Sequence, residues 1–283
     1  MILTAVDDYF SALPWISLSI RIFFRRTKIV IVRYRVSDLL MESSFNWKQK
    51  IKSGVISFTE NVLRPQTVIF DERIQSAPKR HVLPDPWTGP FGEMDRDRSR
   101  EVLGWRTADK VILLVGGQDE RKGFDVAARA LMMIREQVLG VRVVLIGKVA
   151  ESVVVWLKEV VKTFGHDFTH VTEYLSDEDI SVFFSGANIV LLPYHTSFTS
   201  TSGVLVRAAA SSTPVVASDH GLVGWRTRRH SLGHTFPYPE HEKLTQAIVI
   251  ALASEFDPTT AREFAKASTK EALSAAFCKV LNA

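Results

Sequence analysis

Residues 110–124, KVILLVGGQDERKGF, combine an apolar run with a glycine-rich turn and a basic residue. Residues 111–115 are all apolar, which is typical of a strand that is buried on both faces of a parallel sheet. Gly116 and Gly117 follow the run, and we expect the next helix to begin near Lys122. A strand, a turn and a helix in this order predict one unit of a layered α/β domain.

Similar apolar runs recur along the chain and alternate with helix-like segments. The predicted strands of this sheet are Lys110–Val115, Val141–Ile146, His170–Thr172, Asn188–Pro193 and Pro214–Ser218. Between them lie helix signals such as Ser176, an N-cap residue before three acids that favour the positive end of the helix dipole. This alternation predicts a doubly wound parallel sheet, whose ligands bind at the carboxyl edge.

The segment Leu83–Pro90 marks a domain boundary, because three prolines and a glycine exclude regular structure there. Before it, apolar runs at Ile29–Val32, Val55–Phe58 and Thr67–Phe70 predict strands with short helices between them. These elements make up only part of a layered domain. We therefore expect a partial α/β domain over residues 1–86.

Composition excludes several classes of protein. The 283 residues are 46% hydrophobic and 23% charged, which is typical of a globular chain with room for two domains and excludes disorder. The single cysteine, Cys278, forms no internal disulfide, so we expect a cytoplasmic protein. The eight histidines lack metal-binding spacing, so no structural metal site is expected.

The charge is mildly basic and unevenly distributed. A net charge of +4 is too small to indicate a nucleic-acid-binding protein. Six basic residues lie between Arg21 and Arg35, after the apolar stretch Phe10–Ile20, which Pro14 interrupts. This stretch is too short to span a membrane, so we expect a core helix with a basic end. Peripheral contact of residues 10–35 with an anionic membrane is the less favoured alternative.

Two loops at the predicted carboxyl edge are suited to binding an anion. Glycines in the turn after Val115 let the backbone approach a phosphate, and Lys122 adds a positive charge. The loop 195–203, HTSFTSTSG, offers hydroxyls and amides before a helix expected from near Val204 to Ala210. Arg207 follows Gly203 by one helical turn and could reach the same anion. The alternatives are an ordinary tight turn, a loop that only caps its helix, and a solvated or ion-paired Arg207.

Other polar residues after the strands are weaker candidates. His195 and His220 are on the ligand-binding side, although ordinary loop histidines are the favoured interpretation. Asp219 is either a ligand or a helix cap. The basic group Arg226, Arg228, Arg229 and His230 is suited to phosphates or an acidic partner, but a solvated helix face is expected.

Three segments in this order resemble the donor-binding domain of family 4 retaining glycosyltransferases, which have the GT-B fold: VILLVGGQDERKGFDVAARAL, VRVVLIGK and VTEYLSDEDISVFFSGANIVLLPYHTSFTSTSGVLVRAAASSTPVVASDHGLVG. The resemblance covers residues 80–255. It implies a nucleotide-sugar-binding Rossmann-like domain over 87–256 and a final helix over 257–283 that crosses back to the acceptor-side region, residues 1–86. The donor would lie in a cleft between the two domains.

The resemblance also implies which residues bind the donor. Lys122 would neutralise the pyrophosphate, and Tyr174 and Leu175 would contact the base. The whole expected set is Gly116, Gly117, Lys122, Gly147, Tyr174, Leu175, Ser202, Gly203, Val204 and Arg207. No metal or other cofactor is implied, because backbone amides and a lysine can stabilise the leaving diphosphate.

The sequence departs from the family pattern at important positions. Thr199 and Arg207 stand where the family has two glutamates, the second of which holds the ribose. Since an arginine cannot accept hydrogen bonds from hydroxyls, ribose binding must differ or be lost. Gly117 stands where many members have an arginine. The short N-terminal region has no counterpart of the acceptor loops or of a catalytic histidine, so we assign no acid, base or nucleophile.

Three interpretations follow from these observations. The leading one is a glycosyltransferase that moves a sugar from a nucleotide sugar to an unidentified acceptor, with retention. The alternative is a catalytically silent or truncated relative that binds a nucleotide or a partner chain, which would complete the N-terminal domain. A nicotinamide-dependent enzyme is the third, and it lacks the fingerprint glycines.

Overall fold

The computed structural model describes residues 2–3, 15–16, 18–20, 28–33, 47–87, 89–91 and 94–282. The chain divides into two compact units. The smaller unit contains Met1–Pro86, Thr199–Thr201 and Lys270–Ala283, and the larger contains Trp87–Phe198 and Ser202–Thr269. Each unit is built on a parallel sheet of its own.

The described strands of the smaller unit form a parallel sheet in the order β1-β2-β3-β4. These strands are β1 (Ile2–Leu3), β2 (Val30–Arg33), β3 (Gln66–Ile69) and β4 (Arg80–Val82). Its helices include α1 (Trp47–Leu63) and the last helix of the chain, α10 (Lys270–Asn282). The four residues of β2 are all buried, and the first three belong to the apolar run predicted at 29–32.

The two faces of β2 are covered by different helices. Val30 and Val32 pack in one cluster with Val280 of α10, whereas Ile29 and Ile31 pack in another with Ile56 of α1. Side chains alternate between the faces of a strand, so an apolar run of this length indicates burial on both sides. The small sheet is therefore covered on each face by one helix of its own unit.

The strand predicted at Val55–Phe58 is wrong, because these residues lie inside α1. Ile56, Thr59 and Leu63 are buried at the three- and four-residue spacing of one helix face. A short apolar run does not distinguish a strand from a buried helix segment, and here the residues on either side continue the helical period.

The larger unit has six parallel strands in the order β10-β9-β8-β5-β6-β7. The strands are β5 (Lys110–Val115), β6 (Val141–Ile146), β7 (Phe168–Val171), β8 (Ile189–Leu192), β9 (Val215–Ser218) and β10 (Gly233–Phe236). The helices are α2 (Arg96–Leu103), α3 (Phe124–Gln137), α4 (Val154–Phe164), α5 (Asp177–Gly186), α6 (Gly203–Ala210), α7 (Gly221–Arg229), α8 (His241–Ala253) and α9 (Thr259–Ala267). This confirms the predicted doubly wound parallel sheet.

Two details of the C-terminal part of the chain differ from the sequence-based expectation. The sequence analysis did not predict β10, whose residues GHTF include one fully buried side chain, Phe236. The segment 257–283, expected to be one helix, forms α9 and α10. Ser268 and Thr269 separate these two helices, and the division between the compact units falls after Thr269.

The strand order places a topological switch point between β5 and β8. The chain proceeds from β5 to β6 on one side and from β8 to β9 on the other. Leu113 of β5 packs in one apolar cluster with α6, and Leu114 packs in the other cluster with α3, so helices cover both faces. Loops that leave β5 and β8 diverge at the carboxyl edge, which is where doubly wound sheets bind ligands.

The amino edge of the same sheet is closed by a network of charged side chains. Asp109 is 1% exposed and accepts hydrogen bonds from Arg106 Nε at 2.8 Å and from Arg142 Nε at 3.1 Å. Burial alone would raise the pKa of Asp109, but the hydrogen bonds from Arg142 and Arg106 outweigh it and hold that pKa below its ordinary value. Arg100 donates to Asn188 at 2.7 Å.

Most of the N-terminal segment 10–35 lies outside the described residues, including Arg21, Arg25, Arg26 and Arg35. The core helix and the membrane contact predicted there remain predictions. Arg33, which is described, is 1% exposed and lies 3.8 Å from Glu60. Within the described ranges, no helix combines the length and the apolar composition that crossing a bilayer requires.

Candidate functional site

The turn after β5 is fixed by its own hydrogen bonds. Gly116 has a φ of 96°, and its carbonyl accepts a hydrogen bond from Nε2 of the Gln118 side chain at 2.9 Å. Asp119 accepts from the backbone N–H of Lys122 at 2.9 Å and so caps the short 3₁₀ turn Glu120–Lys122. The hydrogen bonds of this turn therefore fix the backbone of Lys122 just ahead of α3.

Gly123 brings this turn against the end of β8. Its φ of 65° lies in the left-handed region, and a Cβ there would overlap the carbonyl oxygen of Pro193. Only glycine allows this approach without movement of the backbone. The backbone N–H of His195 also donates to the carbonyl of Arg121 at 3.0 Å. The two loops of the switch point are thus joined by backbone contacts.

Lys122 extends from the turn over two aromatic rings. Its Nζ lies 4.1 Å from the centroid of Tyr194 and 4.8 Å from that of Phe198. The same Nζ donates a hydrogen bond to the Tyr194 hydroxyl at 3.0 Å. Aromatic faces attract an ammonium group and leave its remaining N–H donors available. The side chain of Lys122 is half-buried.

Tyr194 connects Lys122 to the start of α6. Its hydroxyl lies 3.0 Å from Ser202 Oγ, and Ser202 Oγ in turn accepts from the backbone N–H of Leu205 at 3.4 Å. Tyr194 is 4% exposed, so the hydroxyl is held in a largely buried position. Because lysine only donates, the tyrosine proton is available to Ser202. The Tyr194 hydroxyl therefore links the Lys122 ammonium group to the N-terminus of α6.

Gly147 and Gly117 have contrasting surroundings. Gly147 has a φ of 129°, and a Cβ there would lie 2.5 Å from the carbonyl oxygen of Gly116, so the loop after β6 packs directly on the turn after β5. A Cβ on Gly117 would meet only the Lys148 carbonyl, at 3.9 Å. The structure therefore has room for a side chain at position 117.

Arg207 is ion-paired and does not join the group formed by Lys122, Tyr194 and Ser202. Its Nη2 donates to Asp177 Oδ1 at 2.6 Å, and its guanidinium lies 4.6 Å from the Trp87 ring centroid. Of the alternatives that the sequence left open, the structure shows the ion pair. The arginine bridges α6 and the start of α5.

The other predicted donor-binding residues lie at several places. Tyr174 is 95% exposed on the loop before α5, and Leu175 packs against the apolar core. Gly203 and Val204 are the first residues of α6, where backbone N–H groups lack partners within the helix. Thr199 falls in the segment Thr199–Thr201 of the smaller unit.

Sequence reasoning missed two tyrosines at this edge. Tyr194 follows β8 by two residues, a position from which a side chain reaches the carboxyl edge. Tyr238 follows the unpredicted β10, and the rings of His195 and His220 lie edge-on to it at 5.3 and 5.9 Å. Burial, together with the charge of Asp125, raises the pKa of Tyr238.

The basic group after β9 forms the predicted solvated helix face only in part, because Arg228 and Arg229 are exposed whereas Arg226 is buried. Arg226 is 0% exposed, and its guanidinium lies 5.8 Å from the Phe264 ring centroid. Arg228 donates to the backbone carbonyl of Asp219 at 2.6 Å. The contact of Arg226 with the Phe264 ring of α9 is one that the charge pattern alone does not reveal. Among the residues that the structure describes, no group of three His, Cys, Asp or Glu side chains could hold a metal ion.

Comparison with known protein families agrees with the family resemblance that the sequence shows. A family model described as "Glycosyl transferases group 1" matches residues 109–254, just over half of the 283 residues. A search of the curated proteins gave no match.

Several solved structures share the fold. HepE from Anabaena, solved in complex with UDP, is 14% identical over 96% of this chain and 76% of its own, with a TM-score of 0.74. Sucrose-phosphate synthase from Thermosynechococcus elongatus is 19% identical over 95% and 69%, with a TM-score of 0.64. WaaG, a glycosyltransferase involved in lipopolysaccharide biosynthesis, is 15% identical over 94% and 80%, with a TM-score of 0.65. At these identities the similarity shows the fold alone.

Proposed function

The chain belongs to the group 1 glycosyltransferase family, and on this premise we propose that it transfers a sugar from a nucleotide-sugar donor to an acceptor with retention. The observation that carries the proposal is the hydrogen-bonded series Lys122–Tyr194–Ser202 at the switch point of the sheet. It places a cation beside the N-terminus of α6, a combination that suits a diphosphate.

The chemistry of the leaving group explains why this arrangement would accelerate transfer. As the bond to the anomeric carbon breaks, negative charge grows on the diphosphate. Lys122 and the first N–H groups of α6 would stabilise that charge more strongly than they stabilise the bound donor. A hydrogen bond to a charged group contributes about 1.5–3 kcal/mol. Only the part of this energy that is gained between the bound donor and the transition state accelerates transfer.

The nucleoside end of the donor would lie near the loop before α5. The exposed Tyr174 ring offers a face on which a base can stack. Arg207 cannot accept a hydrogen bond from a ribose hydroxyl, but its partner Asp177 can, and the Asp177 side chain is 50% exposed. We therefore assign to Asp177 the ribose contact that the glutamate makes in other family members.

Thermal unfolding in the presence of UDP-, GDP- and ADP-sugars and of NAD tests the proposal, because a ligand that binds the native state raises its stability. UDP-sugars come first, since HepE, which shares the fold, was solved with UDP. We expect stabilisation by one nucleotide family, lost in Lys122→Ala and retained in Lys162→Ala, an exposed lysine of α4. Stabilisation by NAD alone, or none by any sugar nucleotide, would contradict the proposal.

The ion pair between Arg207 and Asp177 favours a second candidate function, a catalytically silent relative that binds a nucleotide without transferring its sugar. Hydrolysis of the bound donor distinguishes the two. Slow release of free sugar that disappears in Lys122→Ala would exclude the silent relative. Tight nucleotide binding with no release over many hours would favour it over the transferase.

A further inference from the structure

The smaller unit contains a recess at the amino edge of its sheet, where β3 and β4 begin. Its volume is about 580 Å³. Six polar residues contribute to its lining: Glu60, Asn61, Arg64, Thr67, Lys79 and Arg80. A recess of this size holds a small metabolite or a headgroup and is larger than a single inorganic ion requires.

The lining carries an excess of positive charge. Arg64, Lys79 and Arg80 are cations whose side chains make no hydrogen bond or ion pair within the described part of the chain. The one carboxylate of the lining, Glu60, lies 3.8 Å from the buried guanidinium of Arg33, which balances its charge. Three positive groups therefore face the same recess without a matching number of negative ones.

The backbone at two of these cations is held in an unfavourable conformation. Arg64 has a φ of 47° and Lys79 a φ of 94°, both in the left-handed region that favours glycine. Arg64 directly follows the last residue of α1, a position where helices commonly have glycine. Among the described residues, four that are not glycine have a positive φ, and two of the four line this recess. Such strain is often found where a side chain has a function.

We infer that this recess binds a ligand that carries a phosphate group, held by Arg64, Lys79 and Arg80. Guanidinium groups bind phosphate oxygens in pairs of parallel hydrogen bonds, and lysine adds a mobile charge. Asn61 and Thr67 offer hydrogen bonds to hydroxyl groups on the rest of the ligand. The phosphate belongs either to a free sugar phosphate or to a lipid headgroup. The inference is independent of the proposed transferase function.

Glycine substitutions separate a binding role from a structural one. The double variant Arg64→Gly, Lys79→Gly removes two cations while supplying the residue that suits both φ values. We expect its melting temperature without ligand to equal or exceed that of the parent chain. Titration calorimetry at low ionic strength with inorganic phosphate and with glucose 6-phosphate should show binding to the parent chain. In the double variant the affinity for both probes should fall at least tenfold.

Two control variants test the specificity of that loss. Lys50→Ala removes an exposed cation of α1 that does not line the recess, and Ser231→Gly relieves a φ of 50° in the larger unit. Both should bind the phosphate probes as the parent chain does. Equal loss in Lys50→Ala would mean that net charge, and not the recess, attracts phosphate, and would overturn the inference.

Vesicle sedimentation identifies the source of the phosphate. Binding to phosphatidylcholine vesicles that contain phosphatidic acid, lost in the double variant, would indicate a lipid headgroup. Binding of glucose 6-phosphate without vesicle binding would indicate a free metabolite. No binding of any probe to the parent chain, or unchanged binding in the folded double variant, would overturn the inference.

Discussion

The two edges of the six-stranded sheet both contain largely buried polar groups, but they differ in how fully their charges are matched. At the amino edge, Asp109 accepts hydrogen bonds from two arginines of the same unit. At the carboxyl edge, the side chain of Lys122 makes one hydrogen bond among the described residues, to Tyr194, and otherwise lies against aromatic rings. Charges matched internally stabilise the fold, whereas a cation with free donors beside a helix N-terminus is suited to a ligand.

The largest expected effect on stability comes from removing the Asp109 carboxylate at the amino edge. Asp109→Asn removes the carboxylate that Arg106 and Arg142 share and leaves Arg142 only the 3.8 Å contact with Asp167, so the free energy of unfolding should fall by about 2–3 kcal/mol. Donor affinity, measured on the folded variant, should not change. Denaturant titration measures the loss, with Glu159→Gln on the exposed face of α4 as the control. A stable Asp109→Asn variant would contradict the role assigned to this network.

A smaller effect is expected from Gly123, which joins the two loops of the carboxyl edge. Gly123→Ala combines a φ of 65° with an overlap on the Pro193 carbonyl, so we expect a loss of about 2 kcal/mol in unfolding free energy. Gly116→Ala is the matched control, because its φ is 96° but a Cβ there meets nothing within 4 Å. It should cost about 1 kcal/mol. Equal losses of unfolding free energy in the two variants would mean that the close approach of Gly123 to Pro193 does not affect stability.

Much of the structure at the carboxyl edge could be predicted from the sequence. The bounds of β5 and β6 were predicted to the residue, because both strands are apolar on both faces and end at glycine. The sequence also indicates Lys122, through its charge beside a glycine-rich turn and through the resemblance to the family. It did not indicate Tyr194 as the partner of Lys122, because residues 72 positions apart meet only through the strand order.

The sequence-based predictions that fail do so for the same reason: they depend on contacts between distant parts of the chain. The charge pattern of α7 indicates a solvated face, but Arg226 is buried and its guanidinium lies 5.8 Å from the Phe264 ring centroid of α9. Strand β10 was missed because its edge position requires few apolar residues, and Tyr238 was missed with it. Local patterns report the periodicity of an element, whereas contacts between distant elements depend on tertiary packing.

Removal of the Tyr194 hydroxyl should have a moderate effect on the carboxyl edge. Tyr194→Phe keeps the ring beneath Lys122 but breaks the hydrogen bonds to Lys122 and Ser202. Donor affinity should fall about fivefold, which corresponds to about 1 kcal/mol for a neutral hydrogen bond. Titration calorimetry measures the change, and Tyr174→Phe, which retains an exposed ring, should bind normally. Unchanged affinity in Tyr194→Phe would show that the aromatic faces alone position the lysine.

The smallest expected effect is the response of the amino edge to acid. The pKa of Asp109 is lowered in the folded chain, so its stabilisation is present above the ordinary aspartate pKa of about 3.9 and is lost as pH falls towards the folded value. The difference in unfolding free energy between the parent chain and Asp109→Asn should therefore narrow below about pH 4. Denaturant titrations across this range measure it. A constant difference would mean that Asp109 has an ordinary pKa.

Calorimetric titration of the matching nucleoside diphosphate into the parent chain, Lys122→Ala and Asp109→Asn tests the account most directly. We expect Lys122→Ala to lose about thirtyfold in affinity, corresponding to about 2 kcal/mol for a charged hydrogen bond, while its unfolding free energy changes little. Folded Asp109→Asn should bind as the parent chain does. Undiminished binding in Lys122→Ala would show that the carboxyl edge between β5 and β8 does not hold the diphosphate and would contradict the account.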